Sequence, residues 1–350
     1  MWVENKISNF EYLVYLNIYS SRSFLNASQY PFLPWIIQEY KKDVLSVKSI
    51  RPLSKPIGAL NQVRLGELLL KYLDKKETGL DPFIYSSGPM TPISLFYWFI
   101  RIEPFATFHI EMQSGSFDNP ARIFSSWETA FEQVMNIDGA FRELPPEAFY
   151  CHRFMINYND FDLGLKDENS ELPSENSQDV ILPPWAHTPM DFIYINRKML
   201  ETEYVSRNLH DWIDLIWGPK QNGELAEEAL NVFRPEIYHN VWETEFGQNE
   251  DNAPLIEAYL AQVGQIPIQL FSTPHPKKKV FFQAQPEPSS MTEQSSSNED
   301  TKEVVLDEKH DPKRINNPND RILLKTERIY VQELKSCFAI TTSFKHKQYD

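Results

Sequence analysis

Twenty-five prolines are spread through this 350-residue chain, and they limit what it can fold into more than any other feature. Proline has no amide proton to donate inside a helix, and it pushes the residue before it into an extended conformation. A regular bundle of long helices is therefore excluded. The prolines gather in pieces such as QYPFLPW (29–35), ELPPEAFY (143–150) and ILPPWAHTP (181–189), which read as extended segments. With 41% hydrophobic and 13% aromatic residues these segments have partners to be buried among. The expectation is a mainly α fold in which helices pack around extended, irregular core segments.

Between the prolines, helices announce themselves by their ends. Ser8 to Glu11 fits a capping box, with Phe10, Leu13, Val14 and Leu16 beginning an apolar face. Asn61 to Tyr72 is a second helix, Thr91-Pro92 starts a third with threonine as cap and proline at the first helical position, and Ser125 to Glu128 repeats the capping box. Ala253 to Val263 is a further short helix. Leu209, Trp212, Ile213, Ile216 and Trp217 fall three and four apart and draw one apolar stripe. Gly218, expected in a left-handed conformation, and Pro219 end that helix.

The wording of several stretches resembles the BEACH domain, named for the beige and Chediak–Higashi proteins. These are ISNFEYLVYLN from Ile7, QYPFLPWII from Gln29, LSKPIGALNQVR from Leu53, FDNPARIFSSW from Phe117, LPPWA from Leu182, YVSRNLHDWIDLIWGPKQNG from Tyr204, ALNVF from Ala229 and GQIPIQLFSTPHPKK from Gly264. Each is weak alone; their colinear order is a specific signal. The resemblance implies one domain over residues 2–279 with a BEACH-type fold. It further implies a non-enzymatic adaptor or scaffold in vesicle traffic, lysosome-related organelles or autophagy. In that family a pleckstrin-homology-like module usually precedes the domain and a WD-type propeller follows it, the neighbours forming a groove for partners. Neither neighbour is recognisable here, so the chain reads as a minimal BEACH protein or a fragment that binds such a module, or another protein, in trans.

The rest of the chain reads differently. Residues 284–320 hold six apolar residues in 37, too few to offset chain entropy, so 280–320 is expected to be a disordered linker. Residues 321–350 carry short strand-like runs, fewer than one ~40-residue propeller blade, and read as the remnant of one. Lys166 to Asp179 reads as a mobile surface loop.

Charge and cysteine content restrict partners and location. Residues 1–276 hold 21 bases against 37 acids within a net charge of −15, which disfavours nucleic acid and anionic lipid. Two cysteines, Cys151 and Cys337, make no disulfide framework, and no secretion signal precedes them, so a cytoplasmic location is expected. The strongest apolar run, Ile93 to Ile100, is eight residues long, far short of the ~20 that span a bilayer. Peripheral membrane contact through Lys277 to Lys279 is the alternative for the one dense basic cluster.

Signatures of chemistry are sparse. The eleven glycines never fall two apart and none precedes a Lys-Ser or Lys-Thr pair, so no dinucleotide fingerprint or P-loop is present, and no cofactor is expected. The eight histidines stand singly, which gives no zinc spacing. His210 and Asp214, four apart, are the one pair a hydrolase or lipid-modifying enzyme would use; a surface pair beside the Trp212 stripe is the favoured alternative. For partner binding the candidates are Ser54, Lys55, Pro56 and Asn61 in the LSKPIGALN turn, Phe96 and Trp98 in the aromatic run, and Trp185 in LPPWA. Each also has a structural reading: a self-stabilised turn, or a buried core plug.

Overall fold

The computed structural model describes residues 1–137, 139–164, 178–239 and 253–279. Nine α-helices lie wholly among them, besides short 3-10 turns: α1 Asn9–Tyr19, α2 Gln62–Glu77, α3 Pro92–Trp98, α4 Phe105–Met112, α5 Trp127–Asn136, α6 Pro189–Leu200, α7 Glu203–Ile216, α8 Glu224–Glu228 and α9 Ala253–Val263. No strand forms among the described residues; extended segments meet only at isolated bridges, Leu33 with Leu144, Ile37 with Ile50, Tyr85 with Phe233 and Ser126 with Ile181. Two of the four bridges, Leu33 with Leu144 and Ser126 with Ile181, use the Pro-rich pieces. The structure is therefore helix-rich around irregular extended chain, as the proline distribution requires.

Local signals place most helix ends. Ser8 and Glu11 make a complete capping box at α1, and Asn61 accepts hydrogen bonds from the amides of Val63 and Arg64 at the start of α2. Thr91 caps α3 with Pro92 at its first position. At α5 the register differs from expectation by one residue. Ser126, not Ser125, is the cap and accepts from the Thr129 amide at 3.0 Å, so Glu128 falls one position short of closing a box. Thr202 caps α7, so the helix begins at Glu203, six residues before Leu209, the first position of the apolar stripe. The expected loop at 166–179 falls largely on residues 165–177, and the linker and tail of 280–350 fall wholly, outside the described residues.

The main core gathers aromatic residues of the Pro-rich pieces together with those of α3, α5 and α7. Trp35, Trp98, Trp127, Trp212 and Trp217 are all fully buried; Trp98 stacks on Trp127 at 5.4 Å between ring centroids, and Trp127 on Phe192 at 4.1 Å. α3 packs against α4 and α9, and α6 against α1 and α7. A smaller cluster of Leu68, Tyr72, Tyr85, Phe141, Phe233 and Ile237 binds α2 to the chain after α8.

Gly218 serves a different purpose from the one expected. It does not take a left-handed conformation. A Cβ there would lie 2.6 Å from the Asp214 Cα, so glycine is needed for close approach to the last turn of α7.

Candidate functional site

Three motif segments converge on one small cleft. Its lining includes Pro56, Ile57 and Gly58 from LSKPIGALN, Trp212, Leu215 and Ile216 from α7, and Asn231 and Phe233 from ALNVF, with Tyr85 and Glu143 between them. Its volume of about 20 Å³ is room for one water and no more. As it stands the cleft is a packed junction, and any binding must use the surface around it.

Glu143 organises the junction from within. Its carboxylate pairs with Arg51 at 2.7 Å, both side chains almost wholly buried. It also accepts from the Trp35 amide at 2.7 Å and the Trp212 indole at 3.1 Å. One acid thus ties together the segment after α1, the approach to LSKPIGALN, and α7. Neither Glu143 nor Arg51 was singled out by motif or spacing, because they lie 92 residues apart.

The expected partner residues divide. Ser54 and Lys55 are exposed at the tip of the turn, while Pro56 to Ala59 behind them are buried. Arg64 fixes that base by donating to the Gly58 carbonyl at 3.1 Å and the Val134 carbonyl at 2.6 Å. Asn61, partly exposed, caps α2 and donates to the Met135 carbonyl at 3.1 Å. Phe96 is partly exposed beside Phe105 and Phe108. Trp98 has no exposed surface, and Trp185 is 6% exposed, so neither is a surface anchor. Trp185 stacks on Phe192 at 5.2 Å and donates to the Glu39 carbonyl at 3.0 Å; both tryptophans are core plugs. Pro56 likewise belongs to the cleft wall rather than to the exposed tip.

His210 and Asp214 are not a surface pair: they are 8% and 3% exposed. Asp214 accepts from the His275 amide at 2.8 Å, and burial raises its pKa, opposed by that amide and by Lys220. The His210 ring instead faces Asp211 at 3.6 Å. The carboxylate that a hydrolytic reading would need is thus engaged in anchoring the chain after α9. The Lys277 to Lys279 cluster is likewise divided. Lys278 is buried, donates to Asn9 Oδ1 at 2.9 Å and lies over the Trp2 ring, while Lys279 pairs with Glu4 at 2.5 Å. Only Lys277 of the three is exposed without a contact of this kind, so the cluster fastens the 264–279 segment to the chain before α1 and forms no basic patch.

His275 sits within that clasp. Tyr12 donates to its Nε2 at 2.7 Å and its Nδ1 lies 3.0 Å from the Pro276 carbonyl, an arrangement that fits a neutral ring protonated on Nδ1. Burial lowers its pKa to about 4, with His210 adding to the depression and the Pro276 carbonyl opposing it. The unfolded chain, with an ordinary histidine pKa near ~6.5, binds a proton over a range where the folded one does not. Stability is therefore fully present above that value and falls as pH drops from ~6.5 towards ~4, by on the order of 2 kcal/mol. Urea unfolding at pH 7 and pH 5 should show this loss, and His275→Gln should flatten it; an equal loss in both proteins would refute the assignment.

Comparison with known proteins agrees with the motifs. A family model described as Beige/BEACH domain matches residues 1–278. The chain belongs to the BEACH family. It is 42% identical over 291 residues to "BEACH domain-containing protein lvsE" of Dictyostelium discoideum, covering 80% of this chain and 13% of that protein. It is 38% identical over 281 residues to "BEACH domain-containing protein B" of Arabidopsis thaliana, covering 79% of this chain and 11% of that protein. The chain thus spans only about an eighth of the length of these relatives. Among the described residues no helix is long and apolar enough to cross a membrane.

Proposed function

We propose that residues 2–279 fold as one BEACH domain and act as a non-enzymatic protein-interaction module in membrane traffic, the process for which the family is known. On this reading the chain is cytoplasmic and peripheral on vesicle membranes, with lysosome-related or autophagic organelles as its setting. Its partner is a protein, a pleckstrin-homology-like module in trans being the first candidate. The observation that carries the reading is the LSKPIGALN turn. Ser54 and Lys55 stand exposed on a base that is buried and held by Arg64, so a partner meets a pre-ordered charged tip and loses little entropy in binding it.

Lys55→Glu tests this. The side chain is exposed and makes no fold contact of the kind that holds Pro56 to Ala59, so the melting temperature should stay within about a degree, surface substitutions usually costing under ~0.5 kcal/mol. Binding of a purified pleckstrin-homology-like module, or of a stoichiometric native partner, should fall ~10-fold or more if the lysine pairs across the interface. Undiminished binding would remove the turn from the interface.

A further inference from the structure

Helix α2 has two apolar faces, and the described fold uses one of them. Leu65, Leu68 and Tyr72 turn inward. On the opposite side Val63, Leu70 and Leu73 are 77%, 69% and 51% exposed. With Gly66 among them these positions fall three and four apart, the spacing by which one helix offers a seam to another. A further exposed leucine follows the helix. Gly79, at φ 73°, turns the chain so that the Leu80 amide donates back to the Lys75 carbonyl at 3.0 Å, and Leu80 is 63% exposed. A single exposed leucine needs no explanation, but three apolar side chains on one helix face, with a fourth just beyond its end, mark a contact surface.

Gly66 adds an independent sign. A Cβ there would meet nothing within 4 Å, so the fold has no use for glycine at this point, and glycine inside a helix is destabilising relative to alanine. What it does create is a notch midway along the stripe, where another backbone can come close.

The border of the stripe is acidic. Glu67 and Asp74 run along one edge and Glu77 lies on the last turn, all exposed. Lys71 flanks them, but the other bases of α2 are directed elsewhere: Lys75 lies 3.2 Å over the Phe83 ring, Lys76 pairs with Glu227 at 2.9 Å, and Arg64 is buried. The whole chain carries −15, so long-range attraction also favours a cation.

We propose that the outward face of α2 docks a basic amphipathic helix of a partner protein. The partner's apolar side chains fit between Val63, Leu70, Leu73 and Leu80, its backbone passes over Gly66, and its lysines or arginines meet Glu67, Asp74 and Glu77. A second copy of this chain would bring acids against acids in an antiparallel pairing, and an anionic membrane would be repelled. The inference rests on the interaction-module reading and names the chemistry of one partner.

The test uses the full chain and two designed 18-residue peptides, one of leucine and lysine in amphipathic helical order and one of leucine and glutamate, with fluorescence anisotropy as readout. Saturable one-to-one binding of the lysine peptide alone is expected, weaker at high salt. Leu70→Ser with Leu73→Ser should weaken it at least ~10-fold, equivalent to ~1.4 kcal/mol. Gly66→Leu should do the same without lowering the melting temperature. Equal binding by the Leu70→Ser, Leu73→Ser chain would reduce the effect to general charge attraction and overturn the proposal. So would preference for the glutamate peptide, or a dimer of the chain that these substitutions dissociate. Capture of a Lys55-dependent partner beside a failed peptide experiment would overturn this inference alone and leave the interaction-module reading standing.

Discussion

Glu143→Ala is expected to be the most damaging single substitution in the chain, costing ~3–5 kcal/mol for the broken buried pair alone. The Arg51 guanidinium, wholly buried, would lose the ion-pair partner it has among the described residues. The Trp35 amide and the Trp212 indole would at the same moment lose their acceptor, and each buried donor left unmade costs a further ~1–3 kcal/mol. Domains of this kind have ~5–15 kcal/mol in all, so the variant should be recovered largely unfolded or not at all. Glu143→Gln should also destabilise, because the amide end turns a donor towards donors. The revealing variant is the double one. Arg51→Met with Glu143→Leu removes both charges and fills the space, and apolar replacement of a buried pair is often neutral or better. Urea unfolding should show it more stable than Glu143→Ala by several kcal/mol. If Glu143→Ala unfolded at the wild-type urea concentration, the carboxylate would not be the organising centre that its three contacts describe.

How much of this was legible beforehand depended on the range of the interaction. Caps are signals between residues three apart, so Ser8 with Glu11, Asn61 and Thr91 with Pro92 could be placed from the chain alone. Where two serines stood side by side the local signal was degenerate, and Ser126 rather than Ser125 took the cap. The prolines foretold extended core segments because the missing amide proton acts wherever the chain goes. Whether an aromatic residue faces in or out is a tertiary fact. The motif around Trp185 and the run containing Trp98 looked like surface anchors as readily as core plugs, and only packing against Phe192 and Trp127 decides. Lys278 shows the same limit from the polar side: a basic triplet reads as solvated until Asn9 is found 2.9 Å from its ammonium group. The Arg51–Glu143 pair was the least legible, since no periodicity connects positions so far apart. Gly218 was correctly seen to end α7, but for a reason that no sequence shows, the approach of the Asp214 backbone.

Trp212 joins these two kinds of information, and replacing it should have the second largest effect. Its place on the stripe with Leu209, Ile213 and Ile216 predicts burial, and the side chain has no exposed surface. The ring meets Phe32 at 6.0 Å and Trp217 at 5.4 Å between centroids, both nearly edge-on, and its indole reaches Glu143 at 3.1 Å. Trp212→Ala therefore removes packing and a hydrogen bond together, with ~3–5 kcal/mol expected for the cavity. Trp212→Phe separates the two. It keeps much of the apolar volume and withdraws the donor, so it should cost roughly 1–3 kcal/mol, the range for leaving a buried acceptor less satisfied. Equilibrium unfolding in urea, followed by circular dichroism so that loss of the tryptophan signal does not confuse the comparison, should rank wild type above Trp212→Phe and Trp212→Phe above Trp212→Ala. Because Trp212 and Glu143 share a contact, Trp212→Phe combined with Glu143→Gln should fall short of additivity by ~0.5 kcal/mol or more. Strict additivity would mean that the indole and the carboxylate are neighbours without being coupled, and a Trp212→Ala chain as stable as wild type would turn the α7 stripe from a core face into a binding surface.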